Sequence, residues 1–465
     1  MISRIQNWLK SLFDVEPQER VKLVLLTLTF FCIIGGYTLA KELKDSVFSA
    51  VVGRIYIPQA KMYFMIFMVP AIFLYSKLVD RLRRYRLLCW YAFFYALVGF
   101  VCVYMLGHPT IGLLNTDSSP YRVFGWLFYF FVESWSPFVV SVFWAFLNSI
   151  SNPDTAKNSY GTIVAGSKFG GMLTSGFAWA LLSVTTPTSI LIFSDVVKHQ
   201  ILLGVSSLLI LCVPVIILVL MRKVSGHYLH GYEAAYQVEK KRGKTGEAKT
   251  GILSGLIMFF KYPYIFGVFC IVFFYEIINT VLSYQRIGMA EANATSITHV
   301  STYLYKLIFV THTIGFLISL FGTKALLKRF GERICLLLVP ISTALLFIYF
   351  VFSTTQFAFL SFFVILRSIH YGFSYPVRES LYIPTVKEIK FKSKSWIDAF
   401  GQKFAKSGGS FFNHFTRNLP IAAFITIESM FFAVIIGLWI IATYLLGRRF
   451  DQAITNNEVI GAELE

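Results

Sequence analysis

The sequence has few charged residues for its length. Of its 465 residues only 14% are Asp, Glu, Lys or Arg, whereas 56% are hydrophobic, and the mean hydropathy is +0.65. These values exclude a soluble globular domain and indicate a polytopic membrane protein. The formal net charge of +18 does not indicate a nucleic-acid-binding protein, because much of the basic charge lies in short segments between apolar runs.

The sequence also lacks the cysteine patterns of disulfide-rich and metal-binding proteins. Its six cysteines fall inside apolar runs, and no two of them form a Cys-x-x-Cys pair. His227 and His230 form an isolated His-x-x-His in a polar segment, which is more typical of a solvated pair than of a metal site. We therefore expect no disulfide framework, no metal site and no cofactor.

A phosphate-binding P-loop is absent as well. That motif needs Gly-x-x-x-x-Gly-Lys followed by Ser or Thr. Residues 161–168 read Gly-x-x-x-x-Gly-Ser-Lys, with the last pair inverted, and lie in an apolar run, while Gly-Lys-Thr at 243–245 lacks the earlier glycine. We expect neither an ATPase nor another enzyme.

No cleavable signal and no Ser/Arg-rich transit segment precedes the first apolar run. Residues 1–13 have the pattern of a short interfacial amphipathic helix, with Trp8 and Leu9 among the apolar residues and Arg4 and Lys10 as the basic ones. The lack of a transit segment favours a bacterial inner membrane over an organelle.

Twelve apolar runs are long enough to be helical membrane spans, which need about 20 residues. They predict an all-α protein with two sets of six spans: a cytoplasmic segment at 1–20, a bundle at 21–221, a cytoplasmic linker at 222–254, a bundle at 255–446 and a cytoplasmic tail at 447–465. The predicted spans are 21–39 with a polar continuation to about 52, 60–78, 87–106, 124–149, 160–183, 201–221, 256–282, 300–322, 334–352, 357–375, 396–415 and 421–446.

Lysine and arginine are concentrated in alternate loops. The loops after the second, sixth, eighth and tenth spans are basic, and so are both termini. The opposite loops are expected to hold few cations, namely Arg122, Lys198, Arg286 and Arg417. Because basic loops stay on the cytoplasmic side, both termini are predicted to be cytoplasmic.

A weak internal repeat supports the division into two sets. Residues 31–37 of the first span match 269–275 of the seventh at an offset of 238, and the same offset places 168–171 of the fifth span on 406–409 of the eleventh. A duplicated set of six spans with a basic linker is the architecture of major facilitator-type carriers, whose halves rock about a site between them.

The segment 375–415 is too charged to face lipid, although it stands between two apolar runs. Asp398, Gln402, Lys406 and Ser410 recur every four residues, which predicts that they share one helix face. A charged stripe at membrane depth must face protein or a water-filled cavity, so we expect this helix to line a cavity. The glycines that follow the lysine indicate either helix packing or close approach of a ligand.

Charged residues occur inside predicted spans of both halves. Lys44 and Asp45 continue the first span, Glu133 lies in the fourth, Glu276 in the seventh and Lys406 in the eleventh. Two interpretations are open. The charges form static salt bridges, which are often no better than neutral for stability, or the lysines attract phosphates while the glutamates release the lysines or carry protons.

Several blocks occur together in a recognisable order. They are Phe-Trp-Ala-Phe-Leu-Asn at 143–148, Arg-Glu-Ser-Leu-Tyr-Ile-Pro at 378–384, Lys-Ser-Trp-Ile-Asp at 394–398 and Lys-Ser-Gly-Gly at 406–409. This series resembles the non-mitochondrial ATP/ADP translocases, a nucleotide transporter family of intracellular bacteria and plastids. The resemblance implies that the five charged residues named above serve transport.

The chain also departs from the family pattern. After Glu276 it has Ile-Ile-Asn, where many relatives place Val-Thr-Trp-Lys, and Arg378 replaces the usual lysine before Glu379. These departures leave the preferred nucleotide open.

The resemblance implies a major facilitator-like carrier in the lipid bilayer that imports ATP against ADP without an enzymatic step. We expect the transport unit to be a monomer and to bind no nucleic acid. On this hypothesis Lys44 and Lys406 hold phosphates in one hydrated cavity, with Lys168, Arg378 and Glu379 as further substrate-binding candidates. Proton-coupled net import of nucleoside triphosphates or NAD, transport of another organic anion, and a non-transporting membrane scaffold remain the alternatives.

Overall fold

The computed structural model is helical through the residues it describes, apart from loops and one isolated backbone bridge between Thr385 and Ile460. The predicted interfacial helix at 1–13 and nearly all of the predicted linker at 222–254 lie outside those residues. The described residues are 16–150, 153–184, 194–224, 260–292, 294–353, 355–382, 384–386, 389 and 393–461.

The helices lie where the apolar runs predict them. A 3₁₀ turn, Arg54–Tyr56, joins the first two. The helices are α1 (Pro17–Val51), α2 (Ile57–Arg81), α3 (Arg84–Leu106), α4 (Val123–Trp135), α5 (Ser141–Ile150), α6 (Pro153–Ser183), α7 (Asp195–Lys223), α8 (Pro263–Ala292), α9 (Ile297–Leu317), α10 (Thr323–Ser353), α11 (Gln356–Ile369), α12 (Tyr375–Ser380), α13 (Lys394–Trp396), α14 (Gln402–Thr416) and α15 (Ile421–Thr455).

Within the described residues, nine helical segments are long and apolar enough to cross a membrane. Each of them coincides with a predicted span, which confirms an all-α, multi-pass membrane protein. The predicted spans at 60–78, 160–183 and 396–415 fall on α2, α6 and the α13 to α14 segment. The total of twelve crossings stays a prediction.

The surface of α15 shows why a lipid environment is needed. Phe432, Ile436 and Trp439 on one side of this helix are buried, whereas Met430 and Val434 on another side are 65% and 60% exposed. A helix that is apolar on its exposed face as well as on its buried face is a membrane span rather than a surface helix of a soluble protein.

The described residues form two compact units. Each unit combines segments that are far apart in the sequence, and α1 contributes to both of them at its two ends. The predicted bundle boundaries at 21–221 and 255–446 stay a prediction. The first unit draws on residues within 1–43, 73–114 and 131–249, and the second on residues within 44–72, 115–130 and 250–465.

Wide π turns interrupt helical segments at several places among the described residues. A π turn inserts one extra residue into a helix and often marks a functional site. One of them contains Asp398 and directly precedes α14, which carries Gln402, Lys406 and Ser410, and the shared face of these four residues stays a prediction. The turns are Ser136–Val140, Ile318–Gly322, His370–Ser374 and Ile397–Gly401.

Glycines of the repeated segments allow helices to pack closely within each unit. In the first unit, a Cβ on Gly170 of α6 would lie 2.7 Å from the carbonyl oxygen of Phe31 on α1. In the second unit, a Cβ on Gly409 of α14 would lie 2.8 Å from the carbonyl oxygen of Ile277 on α8. A glycine in each repeated segment therefore allows close packing, of the fifth predicted span against the first and of the eleventh against the seventh, although Gly170 corresponds to Gly408 in the repeat and not to Gly409.

We predict that Gly409→Ala destabilises the protein. The new methyl group would press against the Ile277 carbonyl and, at 2.9 Å, against Cβ of Thr280, and overpacking of this kind costs about 1–3 kcal/mol. Thermal unfolding in detergent should show a lower Tm. Gly437→Ala on α15 is the matched control, since nothing lies within 4 Å of its Cβ position, and it should leave Tm unchanged or higher. Equal Tm values for the two variants would contradict the packing role.

Candidate functional site

A buried cluster of opposite charges joins α1 to α8 inside the second unit. Lys44 Nζ lies 2.8 Å from Asp45 Oδ1, and Arg286 Nη2 lies 3.6 Å from Asp45 Oδ2. The three side chains are 3%, 10% and 1% exposed. The Lys44 ammonium also lies 4.0 Å from the centre of the Tyr129 ring. We call Lys44, Asp45 and Arg286 the charge centre.

Arg286 corrects an expectation from the sequence. It was assigned to a loop after the seventh span, but α8 continues to Ala292 and places Arg286 in the helix. Lys198 is a second case, because it is buried in α7, where its ammonium donates a hydrogen bond of 2.8 Å to the Val184 carbonyl. Hydropathy placed the end of α8 too early and the start of α7 too late, because polar residues extend each helix beyond its apolar run.

Arg367 on α11 is a functional candidate that the sequence analysis missed. Its side chain is 2% exposed, and its guanidinium donates a hydrogen bond of 3.2 Å to the hydroxyl of Tyr371. The sequence did contain a signal for Arg367, because an arginine inside the predicted span 357–375 is costly unless the protein solvates it.

Four charged residues of the resemblance motifs pair with one another. Arg378 Nη2 lies 3.2 Å from Asp398 Oδ1, and Lys394 Nζ lies 2.5 Å from Glu379 Oε2. Each pair joins the end of the tenth predicted span to the start of the eleventh. We call these two ion pairs the clasp. The first pair is the more buried, with 4% of the Arg378 side chain exposed against 23% of Lys394.

The residues after α15 are hydrogen-bonded to the loop that lies between the two segments of the clasp. Ile460 donates a backbone hydrogen bond of 2.8 Å to Pro384 and accepts one of 3.1 Å from Val386. Glu458 accepts hydrogen bonds from the Arg449 guanidinium, which lowers the pKa of Glu458. Because a lowered pKa favours the folded state only while the group is ionised, this contact contributes above the ordinary pKa of glutamate and weakens as the pH falls.

The other predicted site residues are divided between the two units. In the second unit, Glu276 on α8 is buried and accepts a hydrogen bond of 3.2 Å from Asn279 Nδ2, and Lys406 on α14 is half-buried. In the first unit, Glu133 on α4 is buried and Lys168 on α6 is half-buried. The meeting of Lys44 and Lys406 in one cavity stays a prediction.

The chemistry of these groups suits binding and movement of charge. The described residues hold no group of three or more His, Cys, Asp or Glu arranged for a metal ion. Buried guanidinium and ammonium groups instead provide donors for the oxygens of an anion, and ion pairs at membrane depth give those donors partners within the protein.

The whole chain is similar to known carriers. Residues 2–450 match the profile of the family described as TLC ATP/ADP transporter. The chain is 24% identical to ADP,ATP carrier protein 1 of Rickettsia prowazekii (strain Madrid E), with 98% of this chain and 99% of that protein covered. It is also 24% identical to ADP,ATP carrier protein 1 of Chlamydia pneumoniae, with 96% and 95% covered.

Solved structures agree on the fold. A major facilitator superfamily proton:xylose symporter matches with a TM-score of 0.60 at 13% identity, and the alignment covers 94% of this chain and 95% of that one. This likeness shows the major facilitator-like fold alone. Because the family profile extends over nearly the whole sequence, the chain belongs to the TLC ATP/ADP transporter family.

Proposed function

We propose that this protein exchanges ATP for ADP by alternating access, importing ATP across a bacterial inner membrane with both termini in the cytoplasm. The observation that carries the proposal is the charge centre, which buries two cations around Asp45 in a chain of this family. The transport unit is one copy of the chain, and no enzymatic step is involved.

Electrostatics favours a polyphosphate as the transported group. ATP carries about four negative charges and ADP about three, and their attraction to a cation grows as water is excluded and the effective dielectric constant falls. Lys44 and Lys406 hold phosphates, and Lys168 and Arg378 are further candidates. Asp45 is placed to neutralise Lys44 and Arg286 when a phosphate leaves.

Contacts at the turn between α1 and α2 have the properties of a gate that opens and closes during transport. Within the second unit, Arg54 Nε lies 2.8 Å from Glu291 Oε2 on α8, and Arg417 donates a hydrogen bond of 3.0 Å to the Ile55 carbonyl. The two side chains of the ion pair are 36% and 32% exposed. Half-exposed pairs contribute little stability, so this contact can break without a large cost. The predicted orientation puts it on the outer side.

One observation favours a second candidate function, proton-coupled net import. The described hydrogen-bond partner of buried Glu276 is the neutral amide of Asn279 rather than a cation. Glu276 would then carry the coupling proton, whereas in strict exchange Glu133 and Glu276 act as counter-charges for the lysines.

Exchange predicts a dependence on internal ADP. Proteoliposomes loaded with ADP should take up labelled ATP at least several-fold faster than empty vesicles, because the cations of the empty carrier pair with carboxylates of the protein and resist reorientation. Equal rates from empty and loaded vesicles, abolished by a protonophore, would support proton-coupled import instead.

Lys406→Ala should lower the apparent affinity for both nucleotides. Loss of one charge-assisted contact with phosphate costs about 1.5–3 kcal/mol, which corresponds to about 10–100-fold in affinity. Uptake at a series of ATP concentrations measures the change. Lys223→Ala is the matched control, since Lys223 lies exposed at the end of α7. A variant with unchanged transport would remove Lys406 from the binding site.

We predict that the two ion pairs of the clasp contribute unequally to the stability of the protein. Arg378→Gln leaves the carboxylate of Asp398 without its buried partner, at a cost of about 3–5 kcal/mol, whereas Lys394→Gln removes a more exposed pair, worth about 0–1 kcal/mol. Thermal unfolding of the purified variants should therefore show the larger loss for Arg378→Gln. The double reversal of Arg378→Asp with Asp398→Arg should recover part of that loss, and no recovery would argue against the pair.

A further inference from the structure

Two buried arginines from different helices converge on one aromatic ring. The guanidinium carbon of Arg286 on α8 lies 4.9 Å from the centre of the Phe363 ring, and that of Arg367 on α11 lies 5.0 Å from the same centre. The two guanidinium groups are therefore separated by at most about twice that distance. All three side chains are 2% exposed or less.

Stability alone does not account for this convergence. Bringing two like charges together at membrane depth is unfavourable, and a cation–π contact offsets only part of the desolvation cost. Guanidinium groups form paired hydrogen bonds with phosphate oxygens in a planar fork, which an ammonium group cannot do. Two such forks, one from each helix, suit an anion that carries more than one phosphate.

The surroundings of Arg367 fit a binding role. Its guanidinium donates to Tyr371, and Tyr371 lies in the π turn His370–Ser374 that follows α11. The ring of Tyr371 in turn lies 6.3 Å from the ring of His312 on α9, nearly parallel to it. Since π turns are frequent at functional sites, the π turn and the buried arginine both indicate a functional site at this position.

The arginine pair is continuous with the charge centre. Arg286 is a member of both, because one of its nitrogens lies 3.6 Å from Asp45 while its guanidinium carbon faces Phe363. Cationic groups therefore follow one another from Lys44 through Arg286 to Arg367 within the second unit.

We infer that Arg286 and Arg367 form a subsite for the terminal phosphates of the nucleotide, and that this subsite selects nucleoside di- and triphosphates over monophosphates. The inference rests on the proposed function and names two residues that neither the sequence motifs nor the charge pattern had assigned. Lys44 lies beside the subsite and Asp45 acts as the exchangeable counter-charge of Arg286.

Four substitutions in the full-length carrier test the subsite: Arg286→Gln, Arg286→Lys, Arg367→Gln and Arg367→Lys. The lysine variants keep the charge and remove the fork. Arg333→Gln is the matched control, because Arg333 is a half-exposed arginine that lies 3.5 Å from Asp451. Each purified variant is first tested for folding by its thermal unfolding in detergent, and Arg367 variants serve if loss of the Arg286 to Asp45 contact prevents folding.

The readout is the ratio of apparent affinities for ATP and AMP, measured by competition in ADP-loaded proteoliposomes. We expect each glutamine variant to bind ATP about 10–100-fold more weakly while AMP changes less than about threefold, so that the ratio falls. The lysine variants should recover only part of it, and Arg333→Gln should keep the wild-type ratio. Folded variants that retain the wild-type ratio would overturn the subsite, even if their transport rates fall.

Stabilisation by inorganic tripolyphosphate separates this inference from the proposed function. Tripolyphosphate should raise the Tm of the wild-type protein and should raise it less in Arg286→Gln and Arg367→Gln. If wild-type vesicles exchange no nucleotide but tripolyphosphate stabilises the protein through these arginines, the exchange proposal fails and the polyphosphate subsite stands. If exchange occurs and tripolyphosphate stabilises wild type and variants equally, only the subsite fails.

Discussion

A charge buried at membrane depth must be solvated by the protein itself, and this constraint explains most of the polar architecture of the second unit. Asp45 lies between two cations, and Arg378 forms an ion pair with Asp398. Arg367 contacts aromatic rings and donates a hydrogen bond to a hydroxyl group. The contacts of Asp45 join α1 to α8, and the Arg378 to Asp398 pair joins α12 to the segment before α14, whereas Phe363 and Tyr371 lie one turn on either side of Arg367. In the first two cases the positions of the charges and the packing of the helices depend on each other.

The clasp gives a physical reason for the order of charges in the resemblance motifs. Arginine and glutamate are adjacent on α12, and lysine and aspartate are four residues apart at the start of the next segment. The pairs connect the first residue of one block with the last of the other, Arg378 with Asp398, and the inner two, Glu379 with Lys394. This nested pattern of pairs favours one register of the two segments, because a shift of either one would separate the opposite charges.

Much of the fold could be predicted from the sequence, because apolar runs of sufficient length have few alternatives to membrane helices. The sequence also showed that Lys44 and Asp45 continue the first apolar run, and both residues lie in α1. The ends of the helices could not be predicted in the same way, because α8 continues through polar residues, including Arg286, to Ala292. The π turn that contains Asp398 could not be predicted either, because such a turn depends on tertiary contacts that sequence periodicity does not contain.

The backbone bridge at Ile460 makes the stretch beyond the last membrane helix an integral part of the carrier. Asn457 has a left-handed backbone with φ of +50°, which reverses the chain after α15 and returns it to the loop at 384–386. That loop directly follows the residues that carry Arg378 and Glu379. A displacement of the residues after α15 is therefore transmitted through two hydrogen bonds to the loop between the tenth and eleventh predicted spans.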